Sequence, residues 1–125
     1  MGLTLDTGAL IAFERGERRV IQNLDEAERS GEVLTVPTVV VAETWRGGAR
    51  SARVAALLRS CIVEPLFEDL AHVAGEAVGA VKGAGVVDAI VMASAARRND
   101  IVLTSDFKDL DRLRSVFPKV RILRV

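Results

Sequence analysis

The chain of 125 residues has few aromatic residues, one cysteine, one histidine and no net charge. Four Phe and one Trp, with no Tyr, leave little surface on which bases could stack, which argues against a single-strand binder of the stacking type. Cys61 has no partner for an internal disulfide, which favours a reducing compartment. Basic and acidic residues balance at 17 each, so only a local cluster of charge can argue for nucleic acid.

Long apolar runs are missing as well. No run approaches the roughly 18 to 20 residues that a membrane-spanning helix needs, and Asp6 comes too early for a signal segment to precede it. We therefore expect a cytoplasmic protein with no membrane contact. Half of the residues are apolar, which is enough for one core, and no linker or repeat divides the chain. Residues 1–125 are accordingly predicted to form a single domain.

The chain is rich instead in short apolar segments. Along the chain, continuous apolar runs alternate with segments in which apolar residues have helical spacing. Continuous apolar runs predict strands over residues 3–5, 32–37, 62–64, 101–104 and 120–125. Helical spacing predicts helices over residues 8–14, 18–30, 39–46 (with Thr38 as N-cap), 51–60, 69–82, 86–98 and from 105 onward. Strands that alternate with helices predict a parallel sheet covered on both faces, with right-handed crossovers.

One predicted helix, residues 69–82, carries small residues at every fourth position. They are Ala71, Gly75, Gly79 and Gly83. Each interior glycine costs about 1 kcal/mol of helix propensity relative to alanine, so we interpret the strip as a packing groove that lets a neighbouring backbone approach.

Two aspartates follow predicted strands, and two further acids lie in apolar helices. Asp6 comes after the first strand and Asp106 after strand 101–104, and ligands of open α/β sheets bind beyond the carboxyl ends of strands where strand order reverses. Glu43 and Asp88 stand within apolar segments, which predicts that both face the core and need a partner there. We expect the four acids to meet at one edge of the sheet.

Clustered carboxylates must take up protons or bind cations, because two unit charges ~4 Å apart repel by about 4 kcal/mol at an effective dielectric of ~20. A carboxylate set without paired His or Cys suits Mg²⁺ or Mn²⁺, which points to phosphoryl chemistry. Simpler roles stay open: Asp6 and Asp106 as helix caps, and Asp88 as a partner of the helix dipole. Capping and metal binding are compatible.

Taken together, these segments resemble a PIN domain, and specifically the small VapC-type toxins of bacterial toxin–antitoxin pairs. The resemblance rests on "LTLDTGALIAFERG", "VPTVVVAETWRG", "VVDAIVMASAARRNDIVLTSDFKDL" and "VRILRV", and it covers essentially the whole chain. It implies a single PIN domain over residues 1–125, a three-layer α/β/α sandwich with a central parallel sheet. It also implies a Mg²⁺- or Mn²⁺-dependent endoribonuclease that cleaves tRNA or ribosomal RNA and so inhibits translation and growth.

The resemblance also assigns roles to individual residues. It places the catalytic, metal-binding acids of the family on Asp6, Glu43, Asp88 and Asp106. Thr104 and Thr7 match accessory positions, and Asp109 is a further candidate acid that we expect to be exposed on its helix. The family also implies a homodimer and a cognate VapB-type antitoxin whose C-terminal segment blocks the acidic cleft.

Other classes of protein are consistent with parts of the pattern. Asp-Thr-Gly at residues 6–8 is also the signature of aspartic proteases, but that fold is almost all β. An aspartyl phosphotransferase would want an acid at position 8, where glycine stands, and a receiver domain an aspartate after its third strand, where Glu64 and Pro65 stand. The alternative that we retain is a non-catalytic interaction module on the same fold, which predicts folding without metal-dependent hydrolysis.

Outside the acids, a group of arginines follows two of the acid-bearing segments. They are Arg15, Arg18, Arg19, Arg46, Arg50 and Arg53. They are candidates for positioning phosphates on the way to the site, although solvated helix ends explain them equally well. We expect His72 at the surface, Cys61 as a small core residue and Trp45 partly buried near Glu43.

Overall fold

The computed structural model describes residues 2–125 and divides them into five strands and seven α-helices. The strands are β1 (Gly2–Leu5), β2 (Val33–Pro37), β3 (Ile62–Glu64), β4 (Ile101–Thr104) and β5 (Arg121–Arg124). The helices are α1 (Thr7–Glu14), α2 (Arg18–Arg29), α3 (Thr38–Thr44), α4 (Ala52–Leu58), α5 (Glu68–Ala80), α6 (Val86–Arg98) and α7 (Phe107–Asp111). Short 3-10 helices cover Ala49–Ser51 and Arg112–Ser115.

All five strands run parallel in one sheet of order β3-β2-β1-β4-β5. In its register, Leu3 of β1 is opposite Leu34 of β2 and Ile101 of β4. Along the chain, β2 and β3 are added on one side of β1, and β4 and β5 are then added on its other side. Strand order therefore reverses between β1 and β4. Right-handed crossovers in opposite directions place α1 to α4 on one face and α5 to α7 on the other, which gives three layers.

The core lies between the sheet and these two helical layers. The central strands bury both faces, since the consecutive β4 residues Val102, Leu103 and Thr104, which point to alternate faces, are all fully buried. Helix α6 is buried along the run Ala89–Ala95, so it is the central helix of its layer. No helix of residues 2–125 is long and apolar enough to cross a membrane.

The predicted elements agree with the structure to within two residues at their ends, and the helix predicted over residues 39–46 is one of those that end early. Helix α3 begins at Thr38 itself, with Pro37 as the preceding cap residue, and it ends at Thr44. The backbone of Trp45 is extended, and Gly47 and Gly48 both have positive φ angles of 80° and 62°. The left-handed conformation that glycine tolerates therefore ends the helix before residue 46.

The interpretation of the small-residue strip as a packing groove is wrong. Gly75 and Gly79 are exposed, and beyond the backbone of their own helix no atom lies within 4 Å of the position that a Cβ would take at either. Helix α5 instead buries the adjacent stripe that contains Leu70, Ala74 and Ala77. Leucine and alanine side chains remove more apolar area from water than glycines do, and that difference decides which face of α5 turns inward.

The expectations for His72 and Cys61 agree with the structure, whereas the expectation of a partly buried Trp45 is wrong. The His72 ring is exposed and lies 3.0 Å from Glu68 one turn earlier on α5. Cys61 is half-buried against the core, its thiol donates to the Leu57 carbonyl, and burial raises the pKa of that thiol to about 11. Trp45 is exposed, with 42% of its surface accessible, because it follows the end of α3 in an extended segment.

A polar network that the sequence did not reveal anchors the far end of α6. The Arg98 guanidinium donates to Thr4 and Ser94 at 2.8 Å and to Asp100 at 3.0 Å, and it forms an ion pair with Glu64. Thr4 also donates to Asp100 at 2.9 Å. The network joins α6 to β1, to the end of β3 and to the residue before β4, so it holds the helix in position across the sheet.

Replacing Arg98 with alanine is expected to lower the free energy of unfolding by about 3 kcal/mol, because the largely buried Asp100 and Glu64 carboxylates lose their cation. Arg97→Ala is the matched control, since its ion pair with Asp69 is exposed and is worth less than about 1 kcal/mol. Urea denaturation of both variants measures the two losses. Equal losses would contradict the anchoring role of the network.

Candidate active site

The four predicted acids line one open cavity of about 530 Å³ at the carboxyl ends of β1 and β4, where strand order reverses. They are Asp6, Glu43, Asp88 and Asp106. A smaller cavity of about 280 Å³ near residues 116–120 lies at the opposite end of the sheet. Its one acid, Asp100, already accepts hydrogen bonds from Thr4 and Arg98, so the first cavity is the better candidate for chemistry.

Asp6 is held in place from two sides. The Ala9 N–H donates to Asp6 Oδ1 at 2.8 Å, so Asp6 caps α1 as expected. The Thr104 hydroxyl donates to the other oxygen, Oδ2, at 2.5 Å, and it accepts the Asp106 N–H at 2.8 Å. Thr104 thereby joins the end of β1 to the segment after β4 and brings the first and fourth acids to one edge.

Burial makes the charge on Asp6 costly. Only 3% of the residue is exposed, and this loss of solvation raises the pKa of Asp6 to about 6. The hydrogen bonds from Thr104 and Ala9 lower the pKa, while the charges of Asp88 and Asp106 raise it further. A cation that enters the cavity therefore stabilises the ionised form of Asp6.

The expectation that Glu43 faces the core is wrong. Glu43 is exposed, and α3 turns Val40 and Thr44 inward instead. Because neighbouring positions of a helix point about 100° apart, burial of Thr44 directs Glu43 outward to the cavity. The Thr7 hydroxyl donates to Glu43 Oε1 at 2.7 Å, which connects α3 to the first turn of α1.

Asp88 lies in the first turn of α6 at the rim of the cavity and is half-buried, so it does not face the core either. Its pKa is raised to about 6, first by burial and then by the charges of Asp109, Asp106 and Glu43. The Arg112 guanidinium acts in the opposite direction. These acids come from different segments of the chain, so they repel one another only once the chain is folded.

Asp106 and Asp109 form a pair at the start of α7. Asp106 occupies the N-cap position of α7, but its side chain accepts no capping hydrogen bond. Hydrogen bonding to the Asp109 carboxyl raises the pKa of Asp106, and burial and the Asp109 charge add to the effect. Asp109 is less exposed than expected, with 48% of its side chain accessible, and its charge acts on both Asp88 and Asp106 as part of the acidic cluster.

Arg112 is a site neighbour that the sequence did not indicate. Its Nη1 donates to the Gly83 carbonyl at 3.2 Å, and its Nη2 lies 3.6 Å from Asp109 Oδ1. Gly83 has a φ of 82°, and a Cβ there would lie 2.7 Å from Nη1 of Arg112. Arg112 thus ties the loop before α6 to the segment after α7, which are 29 residues apart in sequence.

Ser105 is a second lining residue that sequence reasoning did not single out. A Cβ at Gly8 would lie 2.5 Å from the Ser105 Oγ, so glycine at this position permits the first turn of α1 to approach the end of β4. This close approach contributes to the shape of the cavity, which both residues line.

The six candidate arginines occupy different environments. Arg15 lines the cavity, whereas Arg18 and Arg19 are exposed on α2. Arg46 donates to carbonyls of its own segment, at Ala42 and Trp45. The remaining two, Arg50 and Arg53, lie beside the turn that follows α1.

The donor set fits a hydrated divalent ion. Within residues 2–125, no three His, Cys, Asp or Glu side chains lie close enough together to hold one ion directly. Burial is the main cause of the raised pKa values of Asp6 and Asp88, but the charges of neighbouring acids raise the pKa of each acid further, so negative charge is concentrated around the cavity. Mg²⁺ keeps several water molecules and typically uses one or two carboxylates, so oxygen donors spread around an open cavity suit it.

The chain belongs to the PIN domain family, which matches residues 3–115. Solved structures share the fold. A VapBC2 complex of Rickettsia felis, bound to a DNA fragment from its promoter, has a TM-score of 0.80 at 14% identity and covers 100% of this chain and 99% of that chain. A toxin–antitoxin complex from Klebsiella pneumoniae gives 0.76 at 21% identity, with 100% of both chains covered.

A third similar structure is VapC20 of Mycobacterium tuberculosis, described as a toxin that cleaves the sarcin-ricin loop. It has a TM-score of 0.67 at 20% identity and covers 86% of this chain and 92% of that chain. No curated protein matches the chain significantly. The expected PIN-like α/β/α sandwich around a parallel sheet is confirmed.

Asp88→Asn is expected to stabilise the metal-free protein by about 1 kcal/mol at pH 7.5, a figure reduced for the partial exposure of the side chain. A carboxyl whose pKa is raised by folding destabilises the native state once both states ionise, so wild type loses stability as pH rises from about 4 to about 6. Thermal denaturation in EDTA across this range should show the two proteins converge below about pH 4. The exposed control Asp25→Asn should show no such trend, and a constant difference for Asp88→Asn would contradict the electrostatic cause.

Proposed function

We propose that residues 1–125 act as a single PIN domain with Mg²⁺- or Mn²⁺-dependent endoribonuclease activity, the toxin of a VapC-type toxin–antitoxin pair. Its substrate would be tRNA or ribosomal RNA, and cleavage would inhibit translation and growth. The observation that carries the proposal is the hydroxyl of Thr104, which joins Asp6 to Asp106 beside Asp88 and Glu43 in one open cavity. Membership of the PIN family and the fold shared with VapC20 support it.

The acids have distinct tasks in this proposal. Asp6 is fixed by hydrogen bonds to Ala9 and Thr104, so it is the rigid member of the metal-binding set, which Asp88 and Asp106 complete. A divalent ion held there supplies a Lewis acid that activates water and offsets charge on the scissile phosphate. Without such a cation, the carboxylates repel the phosphate backbone of RNA, so the metal-free chain is expected to be inactive.

Glu43 is suited to accept a proton. Thr7 orients it through Oε1, while Oε2 has no hydrogen bond within residues 2–125. A water molecule that attacks the phosphorus must lose a proton, and an exposed carboxylate at the cavity wall can take it as general base. The leaving ribose oxygen takes its proton from solvent.

A non-catalytic interaction module is the second candidate, because no three acids of the described residues converge on one point. It predicts folding and partner binding without hydrolysis. The two candidates differ in a single measurement, the appearance of new RNA ends.

Wild type incubated with total cellular RNA is expected to produce discrete new ends with Mg²⁺ or Mn²⁺ and none with EDTA. Asp6→Asn and Asp88→Asn should lower the rate about 100-fold or more, since each removes a charge from the metal-binding set. Asp69→Asn is the matched control, an exposed acid paired with Arg97 outside the cavity, and should cut like wild type. A folded, metal-binding wild type that yields no ends would favour the interaction module.

Protein partners are the other part of the proposed function. We propose a homodimer that binds a cognate VapB-type antitoxin, whose C-terminal segment blocks the acidic cleft; as an RNA-cutting toxin it would act in the cytoplasm. Exposed apolar side chains on and after the edge strand β3 support a protein interface: Ile62, Val63, Leu66 and Phe67. The structures from Rickettsia felis and Klebsiella pneumoniae contain such complexes.

Light scattering of the purified chain is expected to give twice the monomer mass, because the apolar surface at β3 is too exposed for a monomer of this size. Addition of the cognate antitoxin should then increase the mass and abolish RNA cleavage together. A complex that forms but still cleaves RNA would contradict the cleft-blocking role. A monomeric mass at micromolar concentration would contradict the dimer.

A further inference from the structure

Arg15 is unusual among the residues that line the acidic cavity. It is the one basic residue in that lining within the described chain. Its backbone N–H donates to the Ile11 carbonyl at 3.0 Å, so it ends α1, the helix that Asp6 begins. Helix α1 is about 12 Å long, and side chains on a helix lean toward its N-terminus, so the guanidinium reaches back along the cavity wall.

Arg15 does not neutralise the acids. Within residues 2–125 it forms no ion pair, although four carboxylates line the same cavity. The cation that acts on Asp88 and Asp106 is Arg112. An exposed guanidinium without an ion-pair partner, at the wall of this cavity, is available to an anionic ligand.

Two further arginines continue the positive charge outward from Arg15. Arg53 of α4 contacts the turn after α1, since a Cβ at Gly16 would lie 2.2 Å from its Nη1. Arg50 forms an ion pair at 3.4 Å with Glu14, the last residue of α1, and 70% of its side chain is exposed. We call Arg15, Arg53 and Arg50 the basic strip; it begins in the cavity and runs over the α1–α2 turn toward α4.

The strip suits a polyanion with spaced charges. Guanidinium groups bind phosphate oxygens in a bidentate manner, and such contacts position a nucleic acid without reading its sequence. A basic peptide segment would be repelled by the strip, whereas it would be attracted by the acids. The strip and the acids therefore select different ligands, and an anionic strand is the ligand that the strip fits.

Resting on the proposed nuclease function, we propose that Arg15 and Arg53 bind the phosphates that flank the scissile one. The RNA strand then leaves the acidic cavity across the α1–α2 turn and past α4. Arg15 is a substrate-binding residue in this arrangement. It takes no part in the proton transfers or in the bond that breaks.

The test measures binding in the absence of cleavage. Fluorescence anisotropy with a labelled single-stranded RNA of twelve nucleotides in EDTA compares wild type with Arg15→Ala, Arg53→Ala and Arg15→Lys. Each alanine variant is expected to weaken binding about 3- to 10-fold and to reduce the slope of log Kd against log salt by about 0.7. Arg15→Lys keeps the charge, so it should retain the slope of wild type.

Arg29→Ala is the matched control, because Arg29 ends α2 at the amino-terminal edge of the sheet, away from the cavity. It removes the same charge and should leave both the affinity and the salt slope unchanged. If Arg15→Ala behaves like Arg29→Ala, the strip proposal is overturned even where wild type cleaves RNA. If Arg15→Ala and Arg53→Ala weaken binding and Arg29→Ala does not, but wild type never cleaves RNA with Mg²⁺ or Mn²⁺, the strip stands and the nuclease proposal fails.

A polyglutamate peptide serves as the competitor that represents a protein ligand. Guanidinium groups bind carboxylates as well as phosphates in a bidentate manner, so the peptide tests whether the spacing of phosphates along the strand matters. Wild type should bind the peptide far more weakly than the RNA. Equal affinity for peptide and RNA, lost together in Arg15→Ala, would overturn RNA in favour of an acidic protein partner.

Discussion

The hydrogen bond from the Thr104 hydroxyl to Asp6 is the interaction on which the site depends. It crosses from the end of β4 to the end of β1, and the same hydroxyl accepts the Asp106 N–H. Two acids that are 100 residues apart in sequence are thereby kept at one sheet edge although their charges repel. Because Asp6 is buried, it needs both its donors, and removal of Thr104 would leave a charged group with one of them.

The acidic edge stores unfavourable electrostatic energy that the remainder of the fold must offset. Burial and like charges raise the pKa of Asp6 and Asp88, so ionisation of the site opposes folding. The apolar run of α6 and the Arg98 network at its other end supply the opposing stability. Helix α6 therefore connects one end, where Arg98 pairs with carboxylates, to another end, where Asp88 is repelled by neighbouring acids.

Most of the fold was predictable from residues that are close in sequence, whereas the direction of individual acids was not. The segment "VVVAETW" indicated a buried Glu43, but in a short helix the choice of inward side chains was made by Val40 and Thr44. The strip containing Gly75 and Gly79 likewise faces outward, because larger apolar neighbours on the same helix are buried instead. Periodicity predicts that a helix has an apolar face; competition for buried area decides which of two adjacent faces it is.

The sequence by itself determined the alternation of strands and helices and the positions of the four acids at element ends, because backbone periodicity and capping act between near neighbours. Only the tertiary structure decided that Asp109 joins the cluster, that Arg112 contacts the loop before α6 and that Arg15 stands unpaired in the acidic cavity. Each of these depends on elements that are distant in the chain and meet after strand order has placed β4 beside β1. Electrostatic interactions between such elements depend on their distance in space, which cannot be read from their separation in the sequence.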